Sequence, residues 1–539
     1  MQTPKRSRTK RLRFCPSNLD LLSFLPNPPP NSSTCPCDLC GRGGGRESLR
    51  ILANLRGEGR VPGEELAFLE RFDGERGLLF RCRQPVKMAP LVGNVPVQED
   101  GSSSVSSSPL KTFSLMSIPP PSPYSPWLHE LKSDERGLCL IHLLLNCANH
   151  VAAGSLDGAN AFLEQIALLA APNGDAMQRI ASHFSEALAR RALRQWPGLY
   201  HALDCVHPVA EAAAARRHFF DLCPFLRVSY VVSNQAIMEA MEGEKVVHIV
   251  DLNASDPTQW LSLLQGLRAR PEGPPHLKIT GVHEHRELLN HAAVCLSEEA
   301  ERLDIPFQFN PVATKLENLD VETLRVKTGE ALAIGSVLQL HTLLATEAVQ
   351  QEAPAAVGQQ LTLGECLDKD HSSISDSAMP SSPAESFLAS LWGLSPKVMV
   401  VTEQEADHNG GALSKRFVEA LFYYAALFDC LDSTAARSSV ERLRLEKVLL
   451  GEEIKNIIAC EGLERKQRHE KLQRWARRLD AAGFGPTPLS HCALLQGRRL
   501  LPNFGCKGYN LRDDGGYLMM SWHDRPLFSV SAWKCNRFR

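Results

Sequence analysis

No large net charge, no membrane-length apolar stretch and no regular cysteine framework mark this sequence, and each absence removes a class of function. Its 59 Lys and Arg nearly cancel 61 Asp and Glu, leaving a formal charge of −2. That balance argues against coating nucleic acid by charge alone, although local basic patches remain available. No apolar run approaches the roughly 20 residues that span a bilayer; residues 138–145 are among the longest. The basic start precedes no clean apolar region, so no secretory leader is expected. Sixteen cysteines are scattered without repeat spacing, as in a protein whose thiols stay reduced. No local Cys/His or Ser/His/Asp signature points to nucleophilic catalysis. Together these predict a soluble intracellular protein that does not associate with membranes. The 43% hydrophobic and 22% charged content is ordinary for a globular chain, and 539 residues can bury a large core.

Glycine is missing where a nucleotide-binding fold needs it most. Val246-Val247-His248-Ile249-Val250-Asp251 is a short, nearly continuous β-branched run, which reads as a parallel strand buried on both faces. Leu252 to Pro257 forms a loop, and Thr258-Gln259-Trp260-Leu261 opens a helix. Strand, terminal carboxylate, loop and helix make the first unit of a doubly wound α/β domain, whose ligands bind at the carboxyl ends of the strands. A phosphate there wants glycines, and none lies between Asp251 and Trp260. Asp251 and Glu284, just past the second strand, stand where a methyltransferase places cofactor-binding acids. The alternative reading is therefore an S-adenosylmethionine-dependent methyltransferase. The side chains of Asn253 to Asp256 and the missing amide of Pro257 oppose it. No cofactor is expected, and Asp251 reads as a carboxylate that caps local amides.

Residues 1–126 do not read as a domain. Lys5, Arg6, Arg8, Lys10, Arg11 and Arg13 crowd the start, and serine- and proline-rich stretches follow. Such composition predicts disorder; the basic cluster reads either as a nuclear localisation signal or as part of a solvated tail. Cys35, Cys37 and Cys40 offer three thiols where structural zinc wants four ligands, so no metal site is expected. From residue 127, three helices with apolar stripes form a helical cap lobe over 127–205. Its Leu140-Ile141-His142-Leu143-Leu144 matches the LxxLL pattern of partner-docking helices, with Leu140, Leu143 and Leu144 as contacts; core packing of the same leucines is the competing reading. Arg190 and Arg191 are expected at exposed positions of this lobe.

A Rossmann-like core is expected over 206–535. Strands are predicted at 277–282, 307–311, 331–340 and 397–402, with helices at 287–303 and 319–325 between them. Residues 346–384 read as a flexible insertion. A long aromatic helix over 413–431, charged helices over 440–450 and 463–479, and a helix over 489–501 come next. Strands at 509–511, 517–522 and 527–533 end the chain, the last two forming an antiparallel hairpin about Asp524-Arg525. The fold class is α/β, a Rossmann-like, methyltransferase-type, mostly parallel sheet with an N-terminal cap and this C-terminal hairpin.

Three polar features remain. His283 and His285 flank Glu284 without a second cluster, which reads as a solvated loop. Arg442 and Glu446, four apart on a helix, read as an exposed ion pair worth a few tenths of a kcal/mol, with an interface element as the other reading. Seven Arg and Lys between Arg465 and Arg478 read as a solvated helix face over an apolar stripe of Leu472, Trp475 and Leu479, with phosphate contact as the other reading.

Taken in order, these residues resemble the GRAS family of plant transcriptional regulators. The resemblance rests on Val247-His248-Ile249-Val250-Asp251 with Gln259-Trp260 behind it, and on leucine-rich regions to either side. Arg442 with Glu446, residues 465–470, Trp522 and Ser531-Ala532-Trp533 complete it over 127–535. It implies a nuclear co-regulator without catalytic residues, linked to gibberellin response. Its implied partners are other transcription factors, including DELLA-type relatives and DNA-binding proteins, in homo- or hetero-dimers, with direct DNA contact left open. The DELLA motif is absent here, so hormone-receptor docking and regulated degradation are not carried over. Where the family has glycine two residues before its Gln-Trp, this chain has Pro257. The resemblance fades upstream of about Met88, and residues 1–87 are expected to be an atypical start.

Overall fold

The computed structural model describes residues 132–204, 207–347 and 382–536. The basic N-terminal cluster, the Cys35–Cys40 run and most of the expected insertion lie outside these residues. The edges of that insertion are placed: Thr346 donates to the Leu343 carbonyl at 2.7 Å, and Ala384 is fully buried.

Three amphipathic helices open the described chain: α1 (Ser133–Ala152), α2 (Leu156–Leu169) and α3 (Ala176–Ala192). Asp175 ties the N-termini of α1 and α3 together. One of its oxygens accepts from the Gln178 amide at the start of α3 (3.0 Å), the other from Arg136 (2.8 Å) and Ser133 (3.0 Å) of α1. Burial pushes the Asp175 pKa up, but these donors outweigh it and hold it below the usual carboxylate range. The lobe continues through α4 (Pro197–Ala202) and α5 (Val209–Leu222), and α6 (Phe225–Ala240) leads to the sheet.

Among the described residues the sheet has nine strands: β1 (Val246–Asp251), β2 (His276–His283), β3 (Phe307–Ala313), β4 (Ala331–Val337), β5 (Val398–Gln404), β6 (Phe484–Thr487), β7 (Tyr509–Asp514), β8 (Tyr517–Trp522) and β9 (Arg525–Cys535). Their order is β3-β2-β1-β4-β5-β9-β8-β7, with β6 joined to β9. The first five pair in parallel in the doubly wound order, which places a topological switch point between β1 and β4. The rest are antiparallel.

The expected hairpin is present, turning through His523 and Asp524. A second hairpin, β7–β8, was not foreseen. It closes through Gly515-Gly516, both with positive φ (65° and 95°), the two-residue geometry that matches strand twist.

Other expectations need correction. The predicted helix over 319–325 is two short 3₁₀ turns, Leu316–Asn318 and Val321–Leu324, stopped by Arg325 in the left-handed region. The predicted helix over 463–479 forms only as Leu472–Ala481, because residues 465–471 run as an irregular strap whose polar groups are held by other segments.

Helices cover both faces. On one lie α6, α7 (Thr258–Arg268), the cap, α10 (Leu413–Thr434) and α14 (His491–Leu500). On the other lie α9 (Pro383–Gly393) and α13 (Leu472–Ala481). The segment from 440 to 459 is α11 (Val440–Leu445), a π turn (Glu446–Leu450) and α12 (Gly451–Ala459). Cap helix α3 packs on α10 and α12, so lobe and core share one apolar interior. Helix α8 (Arg286–Arg302) lies along β3.

Candidate functional site

The switch-point crevice is filled by the chain itself. Leu252 donates its amide to the Gly335 carbonyl of β4 (2.9 Å), Ala254 to Val282 of β2 (3.0 Å), and the Asn253 side chain to the Val337 carbonyl (3.0 Å). A loop stitched to both neighbouring strands leaves little room for a ligand's backbone approach. The glycines absent from this loop have counterparts on the strands beside it. A Cβ at Gly281 would stand 2.7 Å from Ala254 Cβ, and one at Gly335 would stand 3.1 Å from the Trp260 ring. The close approach that glycine permits is used here for the chain's own side chains.

Asp251 is spent on the same packing. Its Oδ2 accepts from Trp260 Nε1 at 2.6 Å and its Oδ1 from the Asn253 amide at 3.0 Å. Burial raises its pKa to about 6, while these two donors pull the other way. Glu284 is exposed and faces Lys315 at 3.7 Å rather than Asp251's site. Each acid is thus paired with groups of the chain itself, Asp251 with Trp260 and Asn253 and Glu284 with Lys315.

The other motif residues are cross-links. His248 bridges Thr280 of β2 (Nε2, 2.8 Å) and Glu330 ahead of β4 (Nδ1, 2.8 Å). Val247, Ile249 and Val250 are core. Gln259 donates to Asn234 Oδ1 (3.2 Å) while Asn234 returns a bond to the Gln259 carbonyl (2.9 Å), locking α7 to α6. Trp522 donates to Asp429 of α10 (2.7 Å). Trp533 donates to Ser531 Oγ (2.9 Å) and stacks on Tyr517, while Ala532 sits between Val400 and Thr487.

Arg442 and Glu446 are fully buried, not exposed as expected. Arg179 of α3 reaches into them, donating to Glu446 Oε2 (2.9 Å) and to Asp432 Oδ1 (2.6 Å), which also accepts from Arg442 (2.6 Å). Two guanidiniums and two carboxylates thus join cap to core. The i,i+4 spacing signals the Arg442–Glu446 pair; nothing local in the sequence signals Arg179 or Asp432.

The basic stretch is a solvated face only in part: Arg474 and Arg477 are exposed, whereas Arg465 and Arg468 are buried. Arg465 donates to the His408 carbonyl (2.8 Å), Arg468 to Asn409 Oδ1 (3.2 Å) and the Gly462 carbonyl (3.1 Å). Arg478 is clamped by Glu470 and Glu347 (2.8 Å each). His469 and His408 share a contact between Nδ1 atoms at 2.8 Å. Burial holds both well below the usual histidine range, so both are neutral, one donating and one accepting.

Leu140, Leu143 and Leu144 are core residues in this fold, reachable by a partner only if the lobe opens. Arg190 and Arg191 are not free surface charges. Arg190 pairs with Asp204 and covers the Tyr200 ring, and Arg191 donates to the Ile458 carbonyl (2.9 Å). His283 ends β2 with its ring beside that of His285, and among the described residues no group of three or more His, Cys, Asp or Glu could hold a metal. No described helix is long and apolar enough to cross a membrane. What the lobe does expose is apolar: Trp196 (45%), Leu199 (56%) and Leu203 (55%), on and beside α4.

Comparison with known proteins agrees with this geometry. The GRAS domain family matches residues 140–534. Scarecrow-like protein 3 of Arabidopsis thaliana is 54% identical over 476 residues, covering 82% of this chain and 99% of that protein. GRAS family protein TF80 of Medicago truncatula is 46% identical over 435 residues, covering 77% and 99%. DELLA protein GAI1 of Vitis vinifera is 35% identical, covering 75% of this chain and 62% of that protein. Among solved structures, SCL7 of Oryza sativa superposes with a TM-score of 0.60 at 30% identity, covering 73% of this chain and 99% of that one. With the family's model matching residues 140–534 and two relatives matched along nearly their whole length, this chain belongs to the GRAS family.

Proposed function

We propose that this protein is a nuclear transcriptional co-regulator that works by binding other transcription factors, in gibberellin-linked plant development. The observation that carries the reading is the Trp260–Asp251 contact. It turns the crevice where a Rossmann-like enzyme would hold its cofactor into packed core. A scaffold without that site still offers surfaces. Relatives named as DELLA and Scarecrow-like proteins support regulation as the family's role. On this reading a protein partner contacts the apolar residues that α4 exposes.

The test uses a purified DELLA-type relative as the probe. Replacing both Leu199 and Leu203 by Asp should weaken binding about tenfold or more, as for loss of an apolar anchor, with an unchanged circular-dichroism melt. A folded double variant that binds like wild type would remove α4 from the interface. Absence of binding by the wild-type protein, or its exclusion from plant nuclei as a fluorescent fusion, would overturn the reading itself.

A further inference from the structure

Two buried thiols meet where the helices ahead of the sheet pack on α10. Cys223 lies in the short connection between α5 and α6, just before Pro224, with an extended backbone (φ −123°, ψ 141°). Cys430 lies near the C-terminus of α10. Their sulfurs are 3.8 Å apart, and Cys430 Sγ also stands 3.1 Å from the Tyr509 hydroxyl at the start of β7. Both are free cysteines with no exposed surface. They are 207 residues apart along the chain, so only the fold brings them together.

Core packing alone would be met by other small apolar side chains at these two positions. Three features favour a bond between the sulfurs. A disulfide holds its sulfurs about 2 Å apart, so the gap left to close is short. Cys430 is fixed by its helix, but Cys223 sits outside α5 and α6, so the connection can carry it closer without unwinding either. Tyr509 begins β7, the last strand in the order of the sheet. Local opening at such an edge uncovers Cys430 at less cost than global unfolding. Burial holds the Cys430 thiol protonated, well above the usual thiol range, which slows oxidation until an opening admits the oxidant.

We propose that Cys223 and Cys430 form a redox modification site, a dithiol that closes to a disulfide when the protein meets a peroxide. The thiol reached first becomes a sulfenic acid, R–SH + H2O2 → R–SOH + H2O. The other thiol then displaces its hydroxyl, R–SOH + R′–SH → R–S–S–R′ + H2O. Two electrons pass from the two sulfurs to the peroxide, and both thiol protons end in water. A dithiol reductant reverses the bond by thiol–disulfide exchange. The product ties the α5–α6 connection covalently to α10, the helix on which cap helix α3 packs. The site is independent of the regulator reading and of the surface of α4.

The experiment treats the reduced, folded full chain with hydrogen peroxide. Remaining thiols are then blocked with N-ethylmaleimide in denaturant, and the digest is read by mass spectrometry. A cross-linked peptide pair holding Cys223 and Cys430 should appear, lighter by two hydrogens than the separate peptides, and dithiothreitol should abolish it. The oxidised chain should melt at a higher temperature than the reduced one, because the cross-link restricts the unfolded chain. In Cys223→Ser the link should vanish and dimedone should label Cys430 as a sulfenic acid; in Cys430→Ser the label should move to Cys223. The wild-type map needs no variant, so a variant that fails to fold leaves the test intact. Absence of the link after Cys139 and Cys295, both partly exposed, are fully oxidised would overturn the proposal. So would preferential linkage of Cys223 or Cys430 to other cysteines, and a bond that forms without raising the melting temperature would overturn its role as a tie.

Discussion

His408 and His469 carry much of the protein's expected response to acid. Two neutral imidazoles sharing one proton cannot both be charged without breaking their contact. His408 titrates near 3 and His248 near 4, both lowered first by burial. The unfolded chain takes up these protons near 6.5. Between those values the unfolded state binds more protons, so stability is full above about pH 6.5 and falls as pH drops toward 4. Asp251 opposes this. Its pKa of about 6 lies above the unfolded value, so its contribution to stability is present at low pH and lost as pH rises through 6. Two histidines with larger shifts outweigh one carboxylate. The urea midpoint should fall steadily from pH 7 to 4.5; a midpoint that rises over that range would reverse the assignment. None of this was legible in the sequence. His248 could be placed on a strand, but its depth follows from Glu330 and Thr280, which are distant along the chain.

At the scale of elements, cap and core are joined by charge as well as apolar packing. Glu446→Ala would leave Arg179 and Arg442 buried beside the lone Asp432 carboxylate. Breaking a buried pair in this way costs about 3–5 kcal/mol. The variant should be poorly soluble or unfold at markedly lower urea, whereas an unchanged midpoint would mean that the network contributes nothing. The C-terminal strands carry a comparable load on apolar packing. Trp533→Ala removes a ring buried against Tyr517 and should cost about 3–5 kcal/mol; a variant that melts like wild type would place the ring outside the core. The strands and amphipathic helices were readable because periodicity and β-branching are local properties. The 465–471 strap was not. Its arginines look like a solvated face until the carbonyls of His408 and Gly462 come into range. The β7–β8 hairpin could have been read from Gly515-Gly516, a two-residue turn signal between strand-like runs.

For the whole molecule, the glycine-free loop after β1 was the most informative stretch of sequence. It lacks the glycines a phosphate wants, and in the structure Trp260 packs beside Gly335 of β4 while Asp251 holds its indole. The parallel order β3-β2-β1-β4-β5 and the antiparallel extension β9-β8-β7 then serve as a rigid frame for surfaces. What the sequence could not give was which residues those surfaces expose. LxxLL and the paired arginines of the lobe look available in one dimension and are engaged in three.

The proposed scaffold role, as against catalysis, turns on one carboxylate. Asp251→Asn keeps an acceptor for Trp260 and removes the charge that every cofactor-binding reading of this site needs. Measured in a plant-cell transcriptional reporter, with a circular-dichroism melt to verify folding, the variant should retain output close to that of wild type. A well-folded Asp251→Asn protein that has lost all output would contradict the account and return the crevice to catalysis.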